Sequence, residues 1–161
     1  MVLAECRIVV ALPLAFTPGI SGVHSAMPFD PQKQILVIDD DVLVLRLVRE
    51  AIEALLMNCS VDTTPSPEYG FELLIRKHYD LLILDYAMDH LDGAALYSLA
   101  TKMFAIHPPD GRKMPPMLLM SGFASQPRAQ EVLRSPGVRG LIAKPFSVDR
   151  LVHQVAQALE R

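Results

Sequence analysis

The sequence predicts an α/β fold, a doubly wound parallel sheet of five strands with helices on both faces. Three observations predict it. Short apolar runs alternate five times with longer stretches of helical periodicity. The runs are continuously apolar, as strands covered on both faces must be. The chain has 161 residues, of which 51% are apolar, which is one domain's worth with enough apolar material for a core.

The elements follow in order. QILVID (34–39) is apolar and β-branched and reads as a buried strand. Residues 41–56 have helical length, with 44, 45, 48, 52, 55 and 56 on one apolar face and Asp41 placed to cap. CSVDTT (59–64) is a weaker strand, and 67–78 is a helix with Pro67 in its first turn. YDLLILDY (79–86) is a central strand ending in a carboxylate, and 92–106 is a helix. HPPDGRKMPP (107–116) is a loop, MLLMSG (117–122) a strand and 126–135 a short helix. VRGLIAKPF (138–146) is a strand with proline at its exit. Residues 147–160 form an amphipathic helix capped by Ser147, with 148, 151, 152, 155 and 159 apolar.

Composition narrows the function. The net charge is −3 and the basic residues are scattered, so no nucleic-acid or membrane surface is expected. No apolar run is long enough to span a bilayer. Cys6 and Cys59 lack metal-ligand spacing, and a reduced, cytoplasmic protein is expected. Residues 1–33 read as an extension and 34–161 as the domain. The apolar run 7–16 and the small residues after it leave three readings. One is a loose extension, or upstream sequence with Met27 as the natural start. The second is an extra docked element, and the third a secretion signal. Pro13, Pro18 and Gly19 break any long element there and favour the first. No second domain is expected after the last helix.

In parallel sheets ligands bind beyond the carboxyl ends of the strands. Here those ends carry Asp39 and Asp40, then Asp85, then Ser121-Gly122, then Lys144-Pro145. Three like charges in ILVIDDD (35–41) repel unless something positive sits among them. A hard cation such as Mg2+ takes carboxylate oxygens and is often shared with phosphate. Lys144 adds a second positive charge and Ser121 a hydroxyl donor, a set suited to the equatorial oxygens of a phosphoryl group in transfer. One carboxylate can then be the nucleophile. Asp85 stands alone at the end of the central strand and is the candidate, leaving Asp39 and Asp40 to hold the metal.

These residues resemble the receiver domain of two-component response regulators. The acidic pair of ILVIDD, the lone Asp of DLLILDYAM, the Ser of LLMSG and the Lys-Pro of GLIAKPF match in order and strand-end placement over about 34–161. Any one motif alone is weak, but the ordered set is specific. The resemblance implies a (βα)5 sheet in the flavodoxin-like order 2-1-3-4-5. It implies a phosphoryl group taken from a phosphohistidine on a sensor histidine kinase or histidine phosphotransfer protein. Asp85 would be the phosphoacceptor and Asp40 a direct Mg2+ ligand, with Asp39 acting through a metal-bound water and the Ala87 carbonyl as a further ligand. Ser121 and Lys144 would each hold a phosphoryl oxygen, Gly122 would leave room, and the Lys144-Pro145 bond would be cis.

The departures count as well. Asp89 stands where the family often has proline, four residues after the phosphoacceptor. Leu141 stands where it often has a switching aromatic; Ser121 and Leu141 are the switch positions, and with no ring to swing at 141 the output must travel by backbone shift or by other side chains. Ala87 and Phe123 flank the pocket, and the 107–116 loop is long for a receiver. The expected partner face is the fourth helix, fifth strand and fifth helix, with Arg134, Arg139 and Leu141.

Plainer readings compete. Asp41 is a cap, and alone Asp39 and Asp40 could be caps too. A cap needs no convergent lysine and hydroxyl, which favours the site. His24, His78, His90, His107 and His153 read as solvated surface, Cys59 as a small buried residue, Tyr86 as packing or rim, and the eight methionines as core filler, with Met88 also placed to line the edge of the site. The function expected is a stand-alone phosphorelay receiver, whose only catalysis is on itself. One alternative is a degenerate receiver used as a binding module. The other is a haloacid-dehalogenase-like hydrolase, which needs an acid two residues after its nucleophile, where Ala87 stands.

Overall fold

The computed structural model describes residues 32–88, 92–122 and 127–160. The strands are β1 (Lys33–Ile38), β2 (Cys59–Thr64), β3 (Leu81–Asp85), β4 (Met117–Ser121) and β5 (Val138–Ala143). The helices are α1 (Val42–Leu55), α2 (Pro67–Arg76), α3 (Gly93–Ile106), α4 (Pro127–Leu133) and α5 (Val148–Glu160). All strand pairs are parallel, in the order β2-β1-β3-β4-β5. This is the expected (βα)5 architecture.

Alternation along the strands splits the core in two. Leu36, Ile38, Leu82, Leu84 and Leu119 point to the side covered by α2, α3 and α4, meeting Leu74, Leu96, Phe104 and Ala129. Ile35, Val37, Ile83, Met120 and Ile142 point to the other side and meet Val48, Ile52, Leu151 and Val155 of α1 and α5. Fully burying each such side chain contributes about 1.5–3 kcal/mol against chain entropy. The three central strands β1, β3 and β4 have the most buried side chains, so their carboxyl ends are held by the best-packed part of the molecule.

Local chemistry sets the helix starts. The Asp41 carboxylate accepts from the Leu43 and Val44 N–H groups, Ser66 from Tyr69, and Asp92 from Ala95. Ser147 Oγ accepts from Arg150 N at 3.3 Å, as its position predicted.

Some expectations shift. The sheet begins at Lys33, one residue before the expected boundary, because Lys33 N donates to Asn58 O at 2.7 Å. The third strand begins at Leu81; Tyr79 is a buried residue of the preceding turn. The 107–116 loop holds one 3-10 turn, Pro109–Gly111, where Asp110 (φ 50) and Gly111 (φ 70) both take left-handed backbone. Leu55, counted on the apolar face of α1, is 57% exposed; Ala51 takes the buried place instead. Cys59 is only half-buried. Tyr86 and Met88 pack into the core on the α2–α4 side, so Met88 is core before it is rim. His78, His107 and His153 are exposed, as expected. The readings of the N-terminal extension, of Met27, His24 and His90, and of Asp89 and Phe123 fall outside the described residues.

Candidate functional site

The site is built where the apolar strands run out. β1 delivers Asp39, which is fully buried, and Asp40, which is exposed. β3 delivers Asp85, 3% exposed, and β4 delivers the buried Ser121. Lys144 follows β5 directly, and the Lys144-Pro145 bond is cis. The register places these groups side by side, since β1 and β3 pair up to Ile38 and Leu84 and β4 and β5 pair up to Ser121 and Ala143.

Lys144 reaches across three strands. Its Nζ lies 2.6 Å from Asp39 Oδ2 and 2.8 Å from Asp85 Oδ1. Its own backbone N–H donates to Ser121 O at 2.9 Å, so the turn after β5 is tied to the end of β4. Asp39 uses its second oxygen to accept from Asp41 N at 2.9 Å, which joins the acidic cluster to the start of α1. Carboxylate oxygens of Asp39, Asp40 and Asp85 lie within 4.8 Å of one another.

Electrostatics follow from this packing. Burial pushes the Asp85 carboxyl above its ordinary value; the nearby Asp39 and Asp40 charges add to that, and the Lys144 hydrogen bond opposes it. Burial works against the Lys144 charge, but the hydrogen bonds it donates to Asp39 and Asp85 outweigh that and push the ammonium above its ordinary value. Three carboxylates against one ammonium leave two negative charges, the charge a divalent cation cancels. The donor set is all oxygen and partly open through Asp40, which suits Mg2+.

The structure thus brings together Asp39, Asp40, Asp85 and Lys144, with Ser121 at the end of the adjoining strand. Ala87 lies two residues beyond Asp85 and is exposed. Leu141 does not reach this cluster. It pairs with Leu119 and packs, half-buried, against the core on the α4 side. At Gly122 an added Cβ would meet nothing within 4 Å, so the space there does not depend on the absent side chain.

Gly93 belongs with the site, and the sequence reading passed over it. Its N–H donates to Tyr86 O at 3.0 Å, and its Cα lies so close to the Asp85 carbonyl that a Cβ would overlap that oxygen. Asp-Gly at a helix start was the available signal, but it reads equally well as ordinary capping.

Comparison with known proteins follows the same lines. The response regulator receiver domain family matches residues 35–156. The hybrid signal transduction histidine kinase K of Dictyostelium discoideum is 24% identical over 139 residues, covering 85% of this chain and 11% of its own length. The transcriptional regulatory protein GlrR of Escherichia coli is 28% identical over 127 residues, covering 79% of this chain and 26% of its own. The chain therefore spans about a quarter or less of these relatives. In fold it is similar to a receiver domain protein from Methanospirillum hungatei, with TM-score 0.66 and 20% identity, covering 80% of this chain and 94% of that one. It is similar also to the chemotaxis protein CheY4 of Vibrio cholerae, with TM-score 0.65 and 16% identity, covering 79% and 98%.

Proposed function

The chain belongs to the response regulator receiver family, and from that premise we propose that it takes a phosphoryl group from a phosphohistidine onto Asp85 in a Mg2+-dependent phosphorelay. The observation that supports this reading is the convergence of Asp39 and Asp85 on Lys144 Nζ, with Asp40 alongside, at one end of one sheet.

Asp39, Asp40, Asp85 and the Ala87 carbonyl would hold the ion, Asp40 directly and Asp39 through a water. When bound, the ion offsets the carboxylate charge and stabilises the negative oxygens of the moving phosphoryl group. Asp85 supplies a carboxylate oxygen to phosphorus. A P–O bond forms as the P–N bond to the donor imidazole breaks, and the electron pair leaves on that nitrogen. Lys144 keeps its charge and is placed to pair with one phosphoryl oxygen, and Ser121 donates to another. The chemistry ends at Asp85, where water later attacks phosphorus, the P–O bond to the carboxylate breaks, and inorganic phosphate leaves. The hydrolase reading finds no support, because Ala87 offers no acid two residues after Asp85.

The donor is a sensor histidine kinase or a histidine phosphotransfer protein. Output leaves by protein contact across α4, β5 and α5, where Arg134 and Arg139 are exposed. With Leu141 held against the core, the switch rests on Ser121 and on the Lys144 N–H to Ser121 O bond.

Acetyl phosphate with Mg2+ is expected to add one phosphoryl group to the protein, seen by intact mass and by retarded gel migration. Chelating the metal beforehand prevents the product from forming, and Asp85→Asn abolishes it. Unchanged phosphorylation of Asp85→Asn would show that another residue is the acceptor.

A further inference from the structure

Away from the acidic cluster, the described residues enclose a second concave site. A groove of about 830 Å3 lies between α3, the segment before β4 and α4. That size falls in the range of small-molecule pockets, about 300–1,000 Å3. Its cause is the brevity of α4. Among its residues whose burial is described, Ala129 alone is fully buried, with Val132 and Leu133 partly buried, and the flank of α3 is left uncovered.

The walls are apolar, from Ala95, Tyr97, Met114, Val132 and Pro136. Gly137 lets Tyr97 form part of the floor, since a Cβ there would stand 2.8 Å from the Tyr97 hydroxyl oxygen. The charges are unevenly placed. Every strand is parallel, so each helix runs back the other way. Lys102, in the last third of α3, and Lys113, just before β4, therefore stand at the same end of the groove. Both are exposed, and neither has a carboxylate partner among the described residues. Asp92 lies at the opposite end, occupied in capping Ala95 N, and Glu131 lines the α4 wall. Those two carboxylates repel any second negative charge on an occupant.

We propose that this groove binds a small apolar monoanion, an aromatic or aliphatic body with one carboxylate or sulfonate set against Lys102 and Lys113. The apolar body removes the exposed flank of α3 from water, and the single anionic end meets two ammonium groups that form no ion pair among the described residues. Both walls start at the candidate phosphorylation site. α3 begins at Gly93, against the Asp85 carbonyl, and α4 follows β4 and its Ser121. Binding itself makes no use of Asp85, so this proposal and the phosphoacceptor reading fail independently.

The test uses the full chain and 8-anilinonaphthalene-1-sulfonate as the probe. Its fluorescence is expected to rise saturably, with amide shifts in labelled protein centred on Ala94, Ala95 and Thr101. The uncharged N-phenyl-1-naphthylamine should bind about tenfold more weakly, and Lys102→Gln/Lys113→Gln should weaken the sulfonate about tenfold while leaving the neutral probe unchanged. Both lysines are exposed and in no ion pair among the described residues, so the double variant folds. Absence of binding at millimolar probe overturns the proposal, as does equal affinity in the double variant or a shift pattern centred elsewhere. Dimerisation that the probe competes away would put a second chain in the groove and overturn it too.

Discussion

Gly93 shows how one side chain, by being absent, fixes the backbone of the proposed acceptor. Its close approach leaves the Asp85 carbonyl pinned under the first turn of α3, and a Cβ would also stand 3.0 Å from Asp85 C and 3.1 Å from Tyr86 Cα. These are backbone atoms of a fully buried strand end, so neither partner can rotate away. Gly93→Ala is expected to cost about 1–3 kcal/mol, the usual penalty of forcing atoms into a packed site. It should also slow phosphorylation of Asp85, because the carboxylate moves with its backbone. Gly122→Ala is the control, since the added methyl meets nothing. Urea midpoints for the two variants and the parent check this, and equal midpoints for Gly93→Ala and Gly122→Ala would rule out the pinning.

At the scale of elements, the edge strand β2 is held by charge as well as by its ladder to β1. Asp62 Oδ2 accepts from Tyr79 Oη at 2.7 Å and from Lys77 Nζ at 2.9 Å, which ties β2 to the segment between α2 and β3. Burial alone would raise the Asp62 carboxyl, but the Tyr79 and Lys77 hydrogen bonds outweigh it and hold it below the ordinary carboxylate range. Burial, and then the Asp62 bond, push the Tyr79 hydroxyl well above its ordinary value. The depressed Asp62 carboxyl stabilises the fold above its unfolded pKa of about 4, and that contribution is lost as pH falls through the folded value. Asp62→Asn should therefore lower the denaturation midpoint at pH 7 and approach the parent near pH 3. A deficit constant from pH 3 to pH 7 would assign the effect to packing. The sequence did not disclose this clamp. Tyr79 was read as the start of the third strand, because an aromatic before an apolar run fits strand composition. Only the turn that ends α2 at Arg76 turns its ring towards Asp62. Asp39, Asp85 and Lys144 were legible for the opposite reason. Each ends or directly follows an apolar run, and parallel topology sends every such end to the same side. Leu55 was misjudged because periodicity gives the apolar face but not the width of sheet beneath it.

For the molecule as a whole, the acidic cluster is a cost of the metal-free fold that a cation would convert into stability. With Lys144 as the one cation paired with Asp39 and Asp85 among the described residues, two negative charges remain among three carboxylates. An ion that binds only the folded chain stabilises it by mass action, about 2.7 kcal/mol at a hundredfold excess over Kd. Mg2+ should accordingly raise the thermal midpoint of the full chain, and Na+ at matched ionic strength should not. Asp40→Asn separates this from general screening. Asp40 is exposed, so the substitution leaves the core untouched and removes one repelling charge from beside Asp39 and Asp85. Without metal the variant should be at least as stable as the parent. With Mg2+ the order should invert, because the parent gains and the variant gains little. Calorimetric scans of both proteins across a Mg2+ series give the crossing directly. Parallel curves, with the variant gaining as much as the parent, would show that the carboxylates at the ends of β1 and β3 do not share an ion.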